Sequence, residues 1–133
     1  MQKMHILTQV PEHIFSTPNQ IAVTQRWQKR FNVASWVRFD AQDNSPVRLL
    51  LRYRDASGVR DVAVDQGRIN SKTLLLSGVA NLKLTGRLER IDVILQSDLD
   101  HYVVDELFVQ PVQDKSAERS RPARKVLWGS SES

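Results

Sequence analysis

The residues that first suggest chemistry are two adjacent carboxylates, Asp105 and Glu106, at the centre of the otherwise apolar run HYVVDELFVQP (101–111). Two carboxylates on one surface could perform general acid–base chemistry. The run alternates like a β-strand, in which successive side chains point to opposite faces of the sheet. We therefore expect these two carboxylates to point away from each other, which excludes a catalytic pair on one surface.

Other candidates for catalysis or metal binding are weaker. His5, His13 and His101 lack the spacing of metal ligands, and the chain has no cysteine to complete a zinc site. Asp98 and Asp100 lie in SDLDHY, a turn in which aspartate commonly bonds its own backbone. No nucleophile elbow, P-loop or dinucleotide fingerprint is present. The sequence thus predicts a protein that is not an enzyme and that needs no cofactor.

A second set of candidates consists of tryptophan and arginine side chains that alternate with apolar positions in consecutive runs. They are Trp36 and Arg38 in FNVASWVRF (31–39), Arg48, Arg52 and Arg54 in VRLLLRYR (47–54), and Arg60 in the run that follows. If the first two runs pair as neighbouring strands, these side chains share the face that points away from the core.

Such a face would suit an acidic glycan. An aromatic ring offers a stacking platform for a sugar, and guanidinium groups bind carboxylate or phosphate through two hydrogen bonds. The alternative is a solvated face on which arginine stems cover apolar neighbours such as Leu50. Trp27 and Tyr102 could line a sugar site at the loop end, or they could be core or rim aromatics.

The elements that must position these residues are β-strands. From residue 31 onwards, alternation of period two is broken by turn residues at short intervals, which is typical of an antiparallel β-sandwich or barrel. We predict an all-β sandwich over residues 20–111, preceded by an N-terminal arm (1–19) whose conformation could be strand, short helix or extended. The predicted core is Val33, Val37, Leu49, Leu51, Ile91, Val93, Leu95 and Val104.

Composition supports a single globular domain. The 133 residues include 41% apolar and 26% charged side chains, as globular proteins do. No apolar run approaches the roughly 18 residues of a membrane span. The N-terminus lacks a secretory signal pattern, so a cytoplasmic location is the default expectation, or an extracellular one if a leader was removed. The net charge of +4 permits an anionic partner without requiring one.

The segment 112–133 differs from the rest. QDKSAERSRPARK contains no large apolar side chain and is predicted to be disordered. Its basic residues leave nucleic acid open as a weaker partner hypothesis. The short apolar group Val126, Leu127 and Trp128 follows, and we predict that it docks on a protein partner or on the chain's own domain.

Four segments, in order, resemble the jelly-roll carbohydrate-binding modules of the galactose-binding-like superfamily. They are FNVASWVRFD, VRLLLRYRDASG, TLLLSGVANLKLTGRLERIDVILQS and YVVDELFVQP, and the resemblance covers about residues 20–111. It implies a jelly-roll sandwich and a glycan ligand. In many such modules an aspartate of the closing strand binds a structural calcium ion with an acidic residue near the domain's start, which implies a role for Asp105. Glu12 is the nearest acidic candidate for the second ligand.

The leading hypothesis is a non-catalytic module that binds a glycan through Trp36, Arg38, Arg48, Arg52 and Tyr102. The alternative is a structural or adaptor protein, which would use the sandwich as a scaffold and its tails to dock into a larger assembly or oligomer.

Overall fold

The computed structural model describes residues 2–15 and 21–112, and this part of the chain is all-β. Its strands are β1 (Lys3–Gln9), β2 (Arg26–Phe39), β3 (Pro46–Asp55), β4 (Gly58–Arg68), β5 (Thr73–Thr85), β6 (Arg90–Ser97) and β7 (Tyr102–Pro111). A single 3-10 turn covers Glu12–Ile14. Among the described residues, no helix has the length and apolar character needed to cross a membrane.

The strands form two antiparallel sheets that share one core. The four-stranded sheet has the order β1-β6-β3-β4, and the three-stranded sheet has the order β5-β2-β7. Inward side chains of both sheets, such as Phe31 and Val33 of β2 and Leu49 and Leu51 of β3, belong to the same buried cluster. The predicted all-β class with antiparallel strands is therefore confirmed.

The predicted core is confirmed at every position except one. Val104 is only half-buried, whereas the other seven predicted residues are buried. The difference arises because β7 lies at the edge of its sheet, where a side chain has neighbours on one side only. The alternation of apolar residues identified the inward faces of β2, β3 and β6 correctly.

The pairing of 31–39 with 47–54, which was the condition for a shared tryptophan and arginine face, does not occur. β2 pairs with β5 and β7, while β3 pairs with β4 and β6, so the two consecutive runs lie in different sheets. The polar loop 40–45 between them is longer than the two-residue connection that hairpins favour. Asn44 takes a φ of 62° in this loop and donates its N–H to the Ile69 carbonyl, which fixes the crossing between sheets.

A β-bulge in β7 determines where the carboxylates point. Trp36 lies opposite Glu106 and Val37 lies opposite Val104, so Asp105 is an extra residue without its own partner on β2. The bulge shifts the alternation by one position, which turns Leu107 inward and Glu106 outward. The prediction that Asp105 and Glu106 point to opposite faces is therefore wrong, and both reach the outer face.

The described part of the segment predicted as an N-terminal arm contains a strand, β1, and belongs to the sandwich. β1 pairs with β6 at the edge of the four-stranded sheet, from Lys3 opposite Ser97 to Gln9 opposite Asp92. Val10 and Phe15 are buried in the common core just after this strand. The predicted tail beyond Val112, with its docking group Val126, Leu127 and Trp128, lies outside the described residues.

The two sheets approach most closely where β4 and β5 run side by side. Gly78 of β5 faces Val64 of β4, and a Cβ atom on Gly78 would overlap the Val64 carbonyl oxygen. The Asp65 carboxylate of β4 accepts a hydrogen bond from the Ser77 N–H at 2.9 Å. Glycine at position 78 thus permits this side of the sandwich to close.

Candidate functional site

The outer face of the three-stranded sheet carries a group of exposed side chains that we call the Trp36 face. Its outward residues are Ala34, Trp36 and Arg38 of β2, Leu75, Ser77 and Val79 of β5, and Val103, Glu106 and Phe108 of β7. Because directly opposite residues of antiparallel strands share a face, Leu75, Trp36 and Glu106 form one row across the sheet.

Large apolar side chains are unusually exposed here. The exposed fractions are 40% for Trp36, 42% for Leu75, 52% for Val79 and 46% for Val103. A single exposed apolar residue is normal on a protein surface, but a group on one sheet face marks a binding surface. The Trp36 face is therefore the strongest candidate site in the described part of the chain.

An ion pair borders this apolar group. Arg38 donates from Nη2 to Oδ1 of Asp105 at 2.8 Å and from Nε to Oδ2 at 3.2 Å, so both carboxylate oxygens are engaged. The hydrogen bond from Arg38, together with its positive charge, holds the pKa of Asp105 below its ordinary value, against a smaller opposing effect of burial. The pair is held in place by the bulge, which brings Asp105 over β2.

Glu106 supplies the second carboxylate. It is exposed, and it lies directly opposite Trp36. Its backbone carbonyl accepts a hydrogen bond from the Ser35 hydroxyl at 3.0 Å, which anchors β7 to β2 at this row. An aromatic ring with carboxylate and guanidinium groups beside it can stack on a sugar ring and exchange hydrogen bonds with its hydroxyls.

The structure does not bring the predicted ligand-binding residues together. Trp36 and Arg38 remain on one face, but Arg48 and Arg52 lie on the outer face of the opposite sheet, because β2 and β3 belong to different sheets. There Arg52 bonds Asp61 on β4 at 2.8 and 3.1 Å, and Arg48 lies 3.4 Å from the Gln96 side chain. The acidic-glycan face assembled from all of these arginines therefore does not exist as predicted.

Tyr102 lies on the inner side of the sheet, away from the Trp36 face. It is half-buried, and its ring contacts His5 at 5.4 Å and Phe39 at 6.4 Å between centroids. Burial, followed by the charge of Asp100, raises the pKa of its hydroxyl. This environment is that of a rim aromatic, the second of the two roles that the sequence left open.

The residues around Asp105 do not fit a calcium site. Calcium takes six to eight oxygen ligands, whereas both oxygens of Asp105 bond Arg38. Glu12 is exposed and lies 3.5 Å from Arg87. Across residues 2–15 and 21–112, no group of three or more histidine or acidic side chains could hold a metal ion.

Sequence reasoning missed part of this face. Leu75, Val79 and Phe108 were not singled out, because the pairing of β5 and β7 with β2 is not visible in local alternation. Regular alternation places Glu106 on the opposite face from Asp105, because the bulge is not visible in the sequence. The adjacent acidic residues in an apolar strand were the one available signal.

Comparison with known proteins adds no relative, since no family model, curated protein or solved structure matches this chain.

Proposed function

We propose that this protein is a non-catalytic binding module that recognises a glycan on the Trp36 face. The observation that supports this best is the exposed Trp36 ring, which has Glu106 opposite it and the bidentate Arg38–Asp105 pair one row away. Sugar rings present apolar C–H faces and polar hydroxyl edges, and this arrangement matches both. An open sheet face would accommodate an extended chain of sugars.

The charges of this face favour a neutral glycan over an acidic one. Arg38 contributes one positive charge, but Asp105 neutralises it and Glu106 adds a further negative charge. An acidic sugar would meet net repulsion here, whereas hydroxyl groups can bond carboxylates and guanidinium alike. The proposal includes a jelly-roll sandwich of the galactose-binding-like type, which rests on the four sequence segments that resemble that family.

A glycan array followed by affinity electrophoresis tests the proposal. Trp36→Ala should weaken binding at least about tenfold, equivalent to about 1.4 kcal/mol. The melting temperature should change little, because much of the ring is exposed. Val59→Ala is the matched control, since it removes an exposed apolar side chain from the other sheet. Equal binding by wild type and Trp36→Ala, or no glycan retained by the wild type, would reject the proposal.

A second candidate function is that of an adaptor in a protein assembly. The aliphatic neighbours Leu75, Val79 and Val103 favour it, because protein interfaces bury such side chains at their centre. In this alternative the segment Val126, Leu127 and Trp128, outside the described residues, supplies a second contact.

Light scattering after size exclusion tests this alternative. A chain that ends at residue 112 should stay folded and lose self-association or partner capture. In the full chain, Val79→Ser should weaken association while sparing glycan binding, because Val79 lies opposite Asn32 rather than Trp36. Association that survives both changes would contradict the adaptor role and leave the glycan proposal untouched.

A further inference from the structure

A separate feature lies at the end of the sandwich where the β3–β4 hairpin meets the start of β2 and the end of β5. It is an open cleft of about 580 Å³, which we call the basic cleft, and its lining includes Arg26, Trp27, Ser57, Arg60 and Lys83. These residues come from three strands and one turn, so nothing in the sequence groups them. The volume lies within the range of about 300–1,000 Å³ for small-molecule sites.

The lining of the basic cleft is positively charged. Among the described residues, the lining contains Arg26, Arg60 and Lys83 and no acidic side chain. Arg60 is paired with Asp55, whereas neither Arg26 nor Lys83 forms an ion pair through its side chain in this part of the chain. Arg26 and Lys83 therefore lack the partners that neutralise arginines elsewhere on the described part of this protein.

Arg60 is held in a defined position. Its Nη2 donates to Asp55 Oδ2 at 2.5 Å and to the Lys83 carbonyl at 2.8 Å, and its guanidinium carbon lies 5.1 Å from the centre of the Tyr53 ring. These contacts occupy Nη2, the nitrogen that both two-donor edges of the guanidinium group share, so Nε and Nη1 remain as separate single donors. A pre-positioned guanidinium loses less conformational entropy on binding.

Buried Asp55 supports this arrangement from behind. Its oxygens accept hydrogen bonds from the Ser57 N–H and hydroxyl and from the Thr85 N–H, which ties the hairpin to the end of β5. The Asp55 side chain is fully buried and pairs with Arg60, so it fixes the guanidinium group and offsets its charge, which leaves Arg26 and Lys83 as the net positive charges of the cleft.

Trp27 forms a fixed apolar wall of the cleft. Its Nε1 donates to the Gly86 carbonyl at 2.7 Å, and its ring packs against the core. An apolar wall next to cations lowers the local dielectric and strengthens their attraction for an anion. Trp27 thus contributes both to the core and to a possible ligand's surroundings.

We propose that the basic cleft binds a small ligand that carries phosphate or sulfate groups. Arg26 and Lys83 supply two cations without an ion-pair partner in the described part of the chain, and Arg60 can add single N–H donors from Nε and Nη1 to the same oxyanion. This site is separate from the Trp36 face, because Arg26 and Lys83 lie at the opposite ends of β2 and β5 from Trp36 and Leu75.

Isothermal titration of the full chain with inorganic pyrophosphate, and separately with sulfate, tests the proposal. Pyrophosphate should bind, and Arg26→Ala and Lys83→Ala should each weaken its binding at least about tenfold with the melting temperature unchanged. Arg30→Ala is the matched control, because Arg30 is an exposed cation on the same strand as Arg26 but outside the cleft. Stronger binding of one anion would identify the group that the cleft prefers.

Two results would overturn the inference. One is the absence of binding by the wild type at millimolar pyrophosphate. The other is an equal loss in Arg30→Ala, which would show attraction to overall positive charge rather than to the cleft. Failure of glycan binding on the Trp36 face would leave this site unaffected, so the two proposals fail separately.

Discussion

The outer surfaces of the two sheets differ in how far their central apolar side chains are covered. On the four-stranded sheet, which we call the arginine face, Leu50 and Ile94 point outward yet are buried, with the arginine stems of β3 beside them. On the Trp36 face, Trp36 and Leu75 occupy equivalent outward positions and remain exposed. Both faces have the same alternation along their strands, so the difference in exposure depends on the side chains of the neighbouring strands.

Apolar burial, rather than charge pairing, explains the contrast. On the arginine face, Arg52 of β3 bonds Asp61 of β4, and Arg90 bonds Asp92 within β6. A partly exposed pair such as Arg52–Asp61 contributes about 0–1 kcal/mol, whereas burial of one aliphatic side chain contributes about 1.5–3 kcal/mol. The arginine face is therefore stabilised mainly by the apolar residues under its long side chains. The Trp36 face leaves comparable apolar surface uncovered for a ligand.

The largest expected difference between the two faces is in how much a substitution lowers the free energy of unfolding. Ile94→Ala should lower the free energy of unfolding by about 2–5 kcal/mol, because Ile94 is fully buried although it points outward. Leu75→Ala on the opposite face should change it by less than about 0.5 kcal/mol, as exposed substitutions do. Urea denaturation of both variants measures the difference. Similar losses in the two variants would mean that the Trp36 face is covered in solution.

A smaller difference in stability should separate substitutions of Asp92 and Asp105, which bind arginines on the two faces. The side chain of Asp92 is 8% exposed and that of Asp105 is 38% exposed. Asp92→Asn should therefore cost about 1–3 kcal/mol, since it weakens a hydrogen-bonded charge where water cannot replace it. Asp105→Asn should lower the melting temperature much less. A larger loss for Asp105→Asn would assign a structural role to the bulge.

The smallest effect concerns pH. The folded-state pKa of Asp105 is lowered by Arg38, so the pair's stabilising contribution is complete above the ordinary value of 3.8 and is lost as pH falls through the lower folded value. Carboxyl NMR titration should show this pKa rising towards 3.8 in Arg38→Gln. Asp100, whose pKa is lowered by a hydrogen bond from Lys3, is the internal control and should not respond. An unchanged Asp105 would disprove the pairing.

Much of the fold was predictable because burial of one strand face produces a local alternation of apolar and polar residues in the sequence. Val33, Val37, Leu49 and Leu51 alternate with polar residues, and alternation alone identifies which side of a strand is buried. The choice of strand partners has no such local pattern, because β2 pairs with residues 73–85 and 102–111, far along the chain. The candidate site depended on those partners.

A single inserted residue shows why the site was harder to predict than the core. Asp105 is accommodated as a bulge, and every side chain after it changes face. The apolar residues Leu107 and Val109 still reach the core, so the strand remains recognisable. Glu106, which belongs to the proposed glycan site, is moved to the outer face.

The pairing of β1 with β6 has a consequence for the order in which this protein folds. Lys3 lies opposite Ser97, so β1 can pair only after the chain has been synthesised as far as β6. Until β6 is available, the segment around Ile6 has no partner strand in the four-stranded sheet. Proteins dominated by such long-range contacts fold in milliseconds to seconds rather than microseconds. Attachment of β1 is thus expected to be a late step, and removal of its residues should leave β6 as an open edge on which nascent chains could associate.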